Sequence, residues 1–406
     1  MELRQSGRLS RRTFLSATGA TLVASAQTPK KRVAAIVTEY REQSHADVII
    51  GRLLDGYAPN GRPVEPRSQI VSMFTDQIAV EDMSRPLSRK HGFPIFPTIR
   101  EAMTLGGDDL AVDAVLFVGE HGRYPFNRRG QKLYPRHRII KRIAEVFRET
   151  GKSVPVFCDK HLSYSWRQAK QMYDWSRELG FPFMAGSSIP VTTREPPLEI
   201  PLDSELENAL VVGYGQFDAY GFHTLESLQC MVERRRGGET GIRAVEWIEG
   251  DDVWKWRDSP QGQWTRPLLQ RAFATNPTTK PGRPEDNARE PAVFRLEYND
   301  GFSAVAYMLS GHAAGWTFAG KLKERLEPVS TYFGAAARHA PHFDGLVHCI
   351  EEMFVTGKPL YPVERTLLTT GALALLFESR AQRKPVATPE LAVRYRAPNN
   401  AYFLGA

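Results

Sequence analysis

The chain has 406 residues, 42% of them hydrophobic and 24% charged, with a formal net charge of +7 at neutral pH. That length supports two domains with separate cores, and the composition is that of an ordinary soluble globular protein. The positive excess is scattered apart from Arg234-Arg235-Arg236, which excludes a nucleic-acid-binding stripe. Past the N-terminus no apolar run reaches the roughly 18 residues of a membrane span.

The N-terminus reads as a twin-arginine leader. Ser10-Arg11-Arg12-Thr13-Phe14-Leu15 opens a weakly apolar segment, 13–26, which ends in an A-x-A cleavage site at Ala24-Ser25-Ala26. Removing 1–26 takes away four arginines and one glutamate, so the net charge falls from +7 to +4. The mature protein is expected to start near Gln27 and to leave the cytoplasm through the twin-arginine export machinery. It would then be periplasmic or otherwise extracytoplasmic, with no stable membrane insertion. That route carries folded proteins, often with a cofactor already loaded. Cys158, Cys230 and Cys349 are odd in number and fall inside expected strands or helices. They read as buried structural thiols and not as a disulfide framework.

Taken in order, 31–40 is a buried strand, and 46–57 is a helix with Val48, Ile49, Leu53 and Leu54 on one face. A second strand, 69–74, ends at Thr75-Asp76-Gln77. Helices over 83–91 and 98–105 flank a short apolar segment at 93–96. Strand 112–118 runs into Gly119-Glu120-His121-Gly122, and helix 138–150 leads to a strand at 154–158. Helix 166–179 and a short strand at 181–185 complete the pattern. Apolar strands alternating with amphipathic helices predict a parallel sheet covered on both faces.

Past a Pro- and Glu-rich linker at 194–201 the pattern changes. A strand at 209–213, a helix at 224–235 and strands at 244–248 and 253–256 precede a long surface loop, 274–291. Strands 293–298 and 302–309 form a hairpin around Asn299-Asp300-Gly301. Helices 344–355 and 363–380 follow. The fold class is α/β: an N-terminal Rossmann-like doubly wound parallel sheet, then a C-terminal α+β domain with a mostly antiparallel sheet. The expected divisions are the leader 1–26, a Rossmann-like domain 27–190, a substrate or oligomerisation domain 191–390, and a tail 391–406.

Chemistry concentrates where the strand 154–158 breaks into Asp159, Lys160 and His161. The carboxyl ends of parallel strands open onto the ligand crevice, and lysine is seldom held there without a reason. The same three charges would also serve as a solvated turn capping the next helix.

Val112-Asp113-Ala114-Val115, Cys158-Asp159-Lys160-His161-Leu162, Tyr220-Gly221-Phe222-His223-Thr224-Leu225-Glu226 and Phe354-Val355-Thr356-Gly357-Lys358 occur in a telling order. Over nearly its whole mature length the chain resembles the Gfo/Idh/MocA family of glucose–fructose oxidoreductase and inositol dehydrogenase relatives. The resemblance implies an exported oxidoreductase that acts on a sugar, polyol or glycoside by NAD(P)-linked hydride transfer, and that can form a homo-oligomer. In that family the lysine of Glu-Lys-Pro touches substrate and nicotinamide, and a second-domain histidine exchanges the hydroxyl proton. Those roles fall on Lys160 and His223, with Asp159 and His161 standing where the family has Glu and Pro. Histidine titrates in the working range, and a cation lowers the cost of an alkoxide. His223 read without the family is a helix-start residue satisfying backbone groups. Cofactor contacts fall on Thr38, Glu39 and Tyr40 in the first turn, Asp76 for a ribose hydroxyl, and Glu120 with His121.

The chain also departs from the family. A dinucleotide turn wants G-x-G-x-x-G, because glycine lets backbone amides approach the pyrophosphate. Here residues 38–44 read T-E-Y-R-E-Q-S, with no glycine, and Glu39 and Glu42 would repel phosphate. His45, Asp47, Glu120, His121, Asp159 and His161 all fall near strand ends. Together they could hold a divalent metal for a hydrolase or lyase acting on a carbohydrate-like ligand without nucleotide, or form a hydrogen-bonded polar network. None has the local spacing of a recognised metal motif, so no metal ligand is assigned. A non-catalytic periplasmic binding protein is the third reading.

Overall fold

The computed structural model describes residues 29–334 and 340–400, so the expected leader lies outside the described residues. The first sheet holds β1 (Lys31–Val37), β2 (Ser68–Thr75), β3 (Ala114–Val118), β4 (Val156–Asp159) and β5 (Phe183–Gly186). All five are parallel, in the order β2-β1-β3-β4-β5. Around them run α1 (His45–Asp55), α2 (Ser84–His91), α3 (Ile99–Thr104), α4 (Arg136–Thr150) and α5 (Trp166–Glu178). Alternate residues of β1 enter different cores. Val33, Ala35 and Val37 pack with α1, whereas Ala34 and Ile36 pack with α3 and α4. Burial on both faces is why these strands are continuous apolar runs. The strand order reverses between β1 and β3, and such a switch point is where an open α/β sheet places its crevice.

The second sheet is built from β6 (Thr193–Glu195), β7 (Leu206–Gly213), β8 (Ile242–Glu249), β9 (Ala292–Tyr298), β10 (Ser303–Met308), β11 (Trp316–Leu322), β12 (Val329–Gly334) and β13 (Val386–Ala387). Its order is β13-β8-β9-β10-β7-β11-β12-β6, and among its neighbours only β7 and β10 run parallel. The remaining helices are α6 (Ala219–Val232), α7 (Asp252–Asp258), α8 (Thr265–Thr275), α9 (Pro284–Asn287), α10 (His342–Thr356) and α11 (Val363–Gln382). Helices α6 and α11 cover one face of the sheet, and α7 and α8 the other. Among the described residues no helix is long and apolar enough to cross a membrane.

The last two helices tie the sheets together. Phe343, Leu346, Val347, Ile350 and Phe354 of α10 lie in the core of the first sheet, and Glu351 accepts from Tyr57 Oη and Ser68 N. Val363 and Leu367 of α11 join the first domain's core, and Leu368 to Phe377 the second. The carboxyl end of the first sheet thereby faces the head of α6 across a cleft.

Both sheets and the hairpin around Gly301 are as the sequence reading expects, but several elements differ. The expected strand 253–256 is the helix α7. Asp252 in its first turn and Lys255 and Arg257 in its last complement the helix dipole, and only Val253 is buried. Expected linker residues form β6, which pairs with β12. The expected loop 274–291 contains α9, while α8, β11 and β12 appear where no element is expected. Helix α6 begins at Ala219, so His223 lies inside the helix and not at its start. The three cysteines are free and buried.

Candidate functional site

At the mouth of β4 the backbone turns sharply. Lys160 adopts φ +57°, in the left-handed region, while its N–H donates to the O of Gly186, the last residue of β5, at 3.0 Å. A non-glycine residue there carries strain that its surroundings must hold. Lys160 Nζ lies 3.1 Å from Glu120 Oε1. Glu120 Oε2 accepts from Arg136 Nη2 at 2.6 Å, and Tyr134 Oη donates to Oε1 at 3.4 Å. Burial by itself would raise the Glu120 carboxyl, but Lys160 and Arg136 overcome it and hold the group well below the usual carboxylate range. Arg136 Nη1 also reaches His161 Nε2 at 3.3 Å, and the His161 ring rests on Phe222. Burial, aided by Arg136, keeps His161 well below the ordinary imidazole value.

A second cluster joins the head of α1 to the sheet. His45, the first residue of α1, has Nδ1 2.8 Å from Oδ2 of the fully buried Asp159. The His121 ring lies 5.6 Å from that of His45, and Arg41 Nη2 reaches His121 Nδ1 at 3.2 Å. Burial pushes His121 down to about 4, with the nearby cations adding to the effect.

The opposite wall comes from α6. Asp218 Oδ2 accepts from Lys132 N at 2.9 Å, and burial raises its carboxyl above the ordinary value. His223 is 8% exposed, with its ring against Trp316 and Tyr220. Burial is the main cause of its strongly lowered pKa, and Lys160 is the largest charge acting on it. Between the walls lies a cleft of about 870 Å³, lined by His45, Glu120, His121, Lys160, Asp218 and Tyr220. Phe126 stands at its rim, 63% exposed.

The structure therefore brings Lys160, Glu120 and His121 to one cleft. Asp159 sits directly behind His45, His161 behind Arg136, and His223 one layer deeper in α6. The residues that sequence reasoning left out of the site are Tyr134, Arg136 and Asp218, and His45 it offered only as a metal donor. For Arg136 the available signal was charge complementary to Glu120 in the segment after β3.

The first-turn residues are placed differently from a nucleotide cradle. Thr38 bridges the switch point, donating Oγ1 to Glu120 O at 2.6 Å and N to Val118 O at 3.1 Å. Tyr40 is fully buried in the core beside α1. Glu39 pairs with Arg41 Nε at 2.9 Å. At the head of α1, Ser44 Oγ accepts from Arg41 N and Asp47 N, and Asp47 Oδ2 accepts from Gln43 N. Asp76 is engaged by Tyr124 Oη and Arg138 Nη2, both at 2.7 Å. The amides of Arg41, Gln43 and Asp47 are thus already used, with a carboxylate in their midst. The residues present do not fit a dinucleotide pyrophosphate held by the head of α1. Nor do the six imidazole and carboxylate groups converge on a metal. Among the described residues no group of three or more such donors does so; His45 pairs with Asp159, and Glu120 is taken by Lys160 and Arg136.

No protein-family model matches the sequence, and no curated protein matches it. Solved structures with this fold include GenD2 from gentamicin A biosynthesis, in complex with NAD. Its TM-score is 0.57 at 14% identity, over 94% of this chain and 99% of that one. Myo-inositol 2-dehydrogenase from Lactobacillus plantarum has a TM-score of 0.53 at 11% identity, over 88% of this chain and 99% of that one. Apo scyllo-inositol dehydrogenase from Lactobacillus casei has a TM-score of 0.53 at 12% identity, over 89% of this chain and 99% of that one. The class defined is the two-domain Gfo/Idh/MocA fold, a Rossmann-like parallel sheet joined to a mostly antiparallel one. At these identities the likeness carries the fold, and the chemistry rests on the residues in the cleft.

Proposed function

We propose that the chain is an enzyme that works on a polyhydroxylated, carbohydrate-like substrate in the interdomain cleft, by proton transfer beside a carbonyl group. The observation that carries this reading is the Lys160–Glu120 pair on one wall of the cleft and Asp218, its carboxyl raised by burial, on the other. The Lys160 ammonium is placed to hold an oxygen on which negative charge develops. A C–H bond next to the carbonyl breaks, a basic side chain of the cleft takes the proton, and the electron pair forms the enolate. The enolate is then reprotonated, or a β C–O bond breaks and Asp218 gives its proton to the departing oxygen. Phe126 and Tyr220 offer aromatic faces to a sugar ring. Nuclear magnetic resonance of inosose, the ketone of inositol, or of a methyl keto-glucoside in heavy water tests this. The C–H signals beside the carbonyl should be lost with wild type and about a hundred- to a thousandfold more slowly with Lys160→Met. No protein-dependent exchange on either probe would overturn the reading.

A second reading, NAD(P)-linked hydride transfer at a carbinol of the same substrate class, is favoured by the fold shared with GenD2, solved in complex with NAD, and by Lys160 at the end of β4. It needs a dinucleotide held by groups other than the head of α1. Denaturing purified protein and finding one NAD(H) or NADP(H) per chain would establish it. For either reaction, we place the protein outside the cytoplasm, exported by way of Arg11-Arg12. Changing both to lysine should stop export, and mass spectrometry of the mature protein should find Gln27 at its start.

A further inference from the structure

We infer that His45 and Asp159 form the general base of this cleft, an inference that rests on the acid–base reading above. Ser44 and Asp47 take up the amides of Asp47 and Gln43 at the head of α1, and that head presents a side chain to the cleft. That side chain is His45. Its ring is fixed from three directions: Asp159 at 2.8 Å from Nδ1, the Phe343 ring edge-on at 5.1 Å, and the His121 ring at 5.6 Å. These contacts come from β4, α10 and the loop after β3, so two of the three lie in the first sheet and the third closes over it.

The hydrogen bond selects the tautomer. A carboxylate only accepts, so Nδ1 carries the proton, and in the neutral ring Nε2 has the lone pair. Asp159 is fully buried, and its second oxygen, Oδ1, has no other hydrogen-bond partner among the described residues. Orienter, imidazole and a nearby charge-stabilising group are the parts a positioned base requires. Around His45 stand Lys160, Glu120 and the imidazole of His121, which burial holds down to about 4. In the step itself, His45 Nε2 takes the proton from carbon, and the electron pair moves to the carbonyl oxygen beside Lys160. The imidazolium so formed is stabilised by Asp159 and returns its proton to carbon. Asp159 acts through His45 and is a positioning residue.

The test measures hydrogen exchange of inosose in heavy water. His45→Ala should lower the rate about a hundred- to ten-thousandfold. Added imidazole should restore part of it in His45→Ala but none in Lys160→Met. Asp159→Asn should lower kcat with KM little changed. His45→Gln, polar and of similar reach, should show the same loss as His45→Ala with an unchanged melting temperature, which separates chemistry from folding. Undiminished exchange in both His45 variants overturns the dyad and leaves the acid–base reading standing. No exchange in wild type overturns both.

Discussion

Glu120 joins two cations of different purpose: Lys160 Nζ lies 3.1 Å from one carboxylate oxygen, and Arg136 Nη2 lies 2.6 Å from the other. Lys160 faces the cleft, whereas Arg136 is 1% exposed and fixes the loop after β3. Removing one partner of a buried ion pair leaves charge stranded, at a cost of about 3–5 kcal/mol. Glu120→Ala should therefore lower the free energy of unfolding measured in urea by that amount. Adding Arg136→Met should recover part of the loss.

Stability should also report on Glu226. This α6 residue is 1% exposed and accepts from Ser187 N and Oγ. Burial raises its carboxyl from 4.5 to about 7. Because the folded state binds the proton more tightly than the unfolded chain, the contribution is full below pH 4.5 and is lost as pH rises through about 7. Its size is on the order of 3 kcal/mol. Buried neutral His161 and His223 act oppositely, since their depressed values cost stability as pH falls. The clean measurement is the difference between wild type and Glu226→Gln: the variant should lack the decline between pH 4.5 and 7.

Phe126 is the one large aromatic left 63% exposed at the cleft rim among the described residues. Phe126→Ala should leave the melting temperature unchanged, because the ring buries little. An aromatic face contributes about 0.5–1.5 kcal/mol, so KM should rise roughly two- to tenfold while kcat holds. Steady-state kinetics on the keto-glucoside would separate the two constants.

The head of α1 gives a prediction about ligands. With Asp47 already accepting from Gln43 N, and Thr38 tying β1 to the loop after β3, NADH should not saturate the protein in a fluorescence titration. Replacing Asp47 by alanine frees an amide but supplies no glycine. It should not create tight binding either.

The parallel sheet was legible because β1 and β3 bury both faces, leaving runs of small and branched residues with little ambiguity. Lys160 was legible for a related reason: an apolar strand that breaks into three ionisable residues has reached the edge of its sheet. His45 was harder. Its partner Asp159 is 114 residues away, and only the return of β4 beside β3 brings them together. His223 misled in another way, since the helix is expected from 224, whereas Thr224 is an interior residue bonded to Tyr220 O. The strands β11 and β12 went unseen because Thr317, Gly320, Ser330 and Thr331 mute their alternation, although their side chains are buried.

One spectrum tests the core of the account: inosose incubated with the purified mature protein in heavy water, first without and then with added NAD(P)H. Proton transfer by His45, with Lys160 holding the oxygen that becomes negative, predicts loss of the C–H signals beside the carbonyl before any nucleotide is added, with the ketone intact. No exchange in the first stage, followed by reduction of the ketone to an alcohol in the second, would contradict it and leave a dehydrogenase.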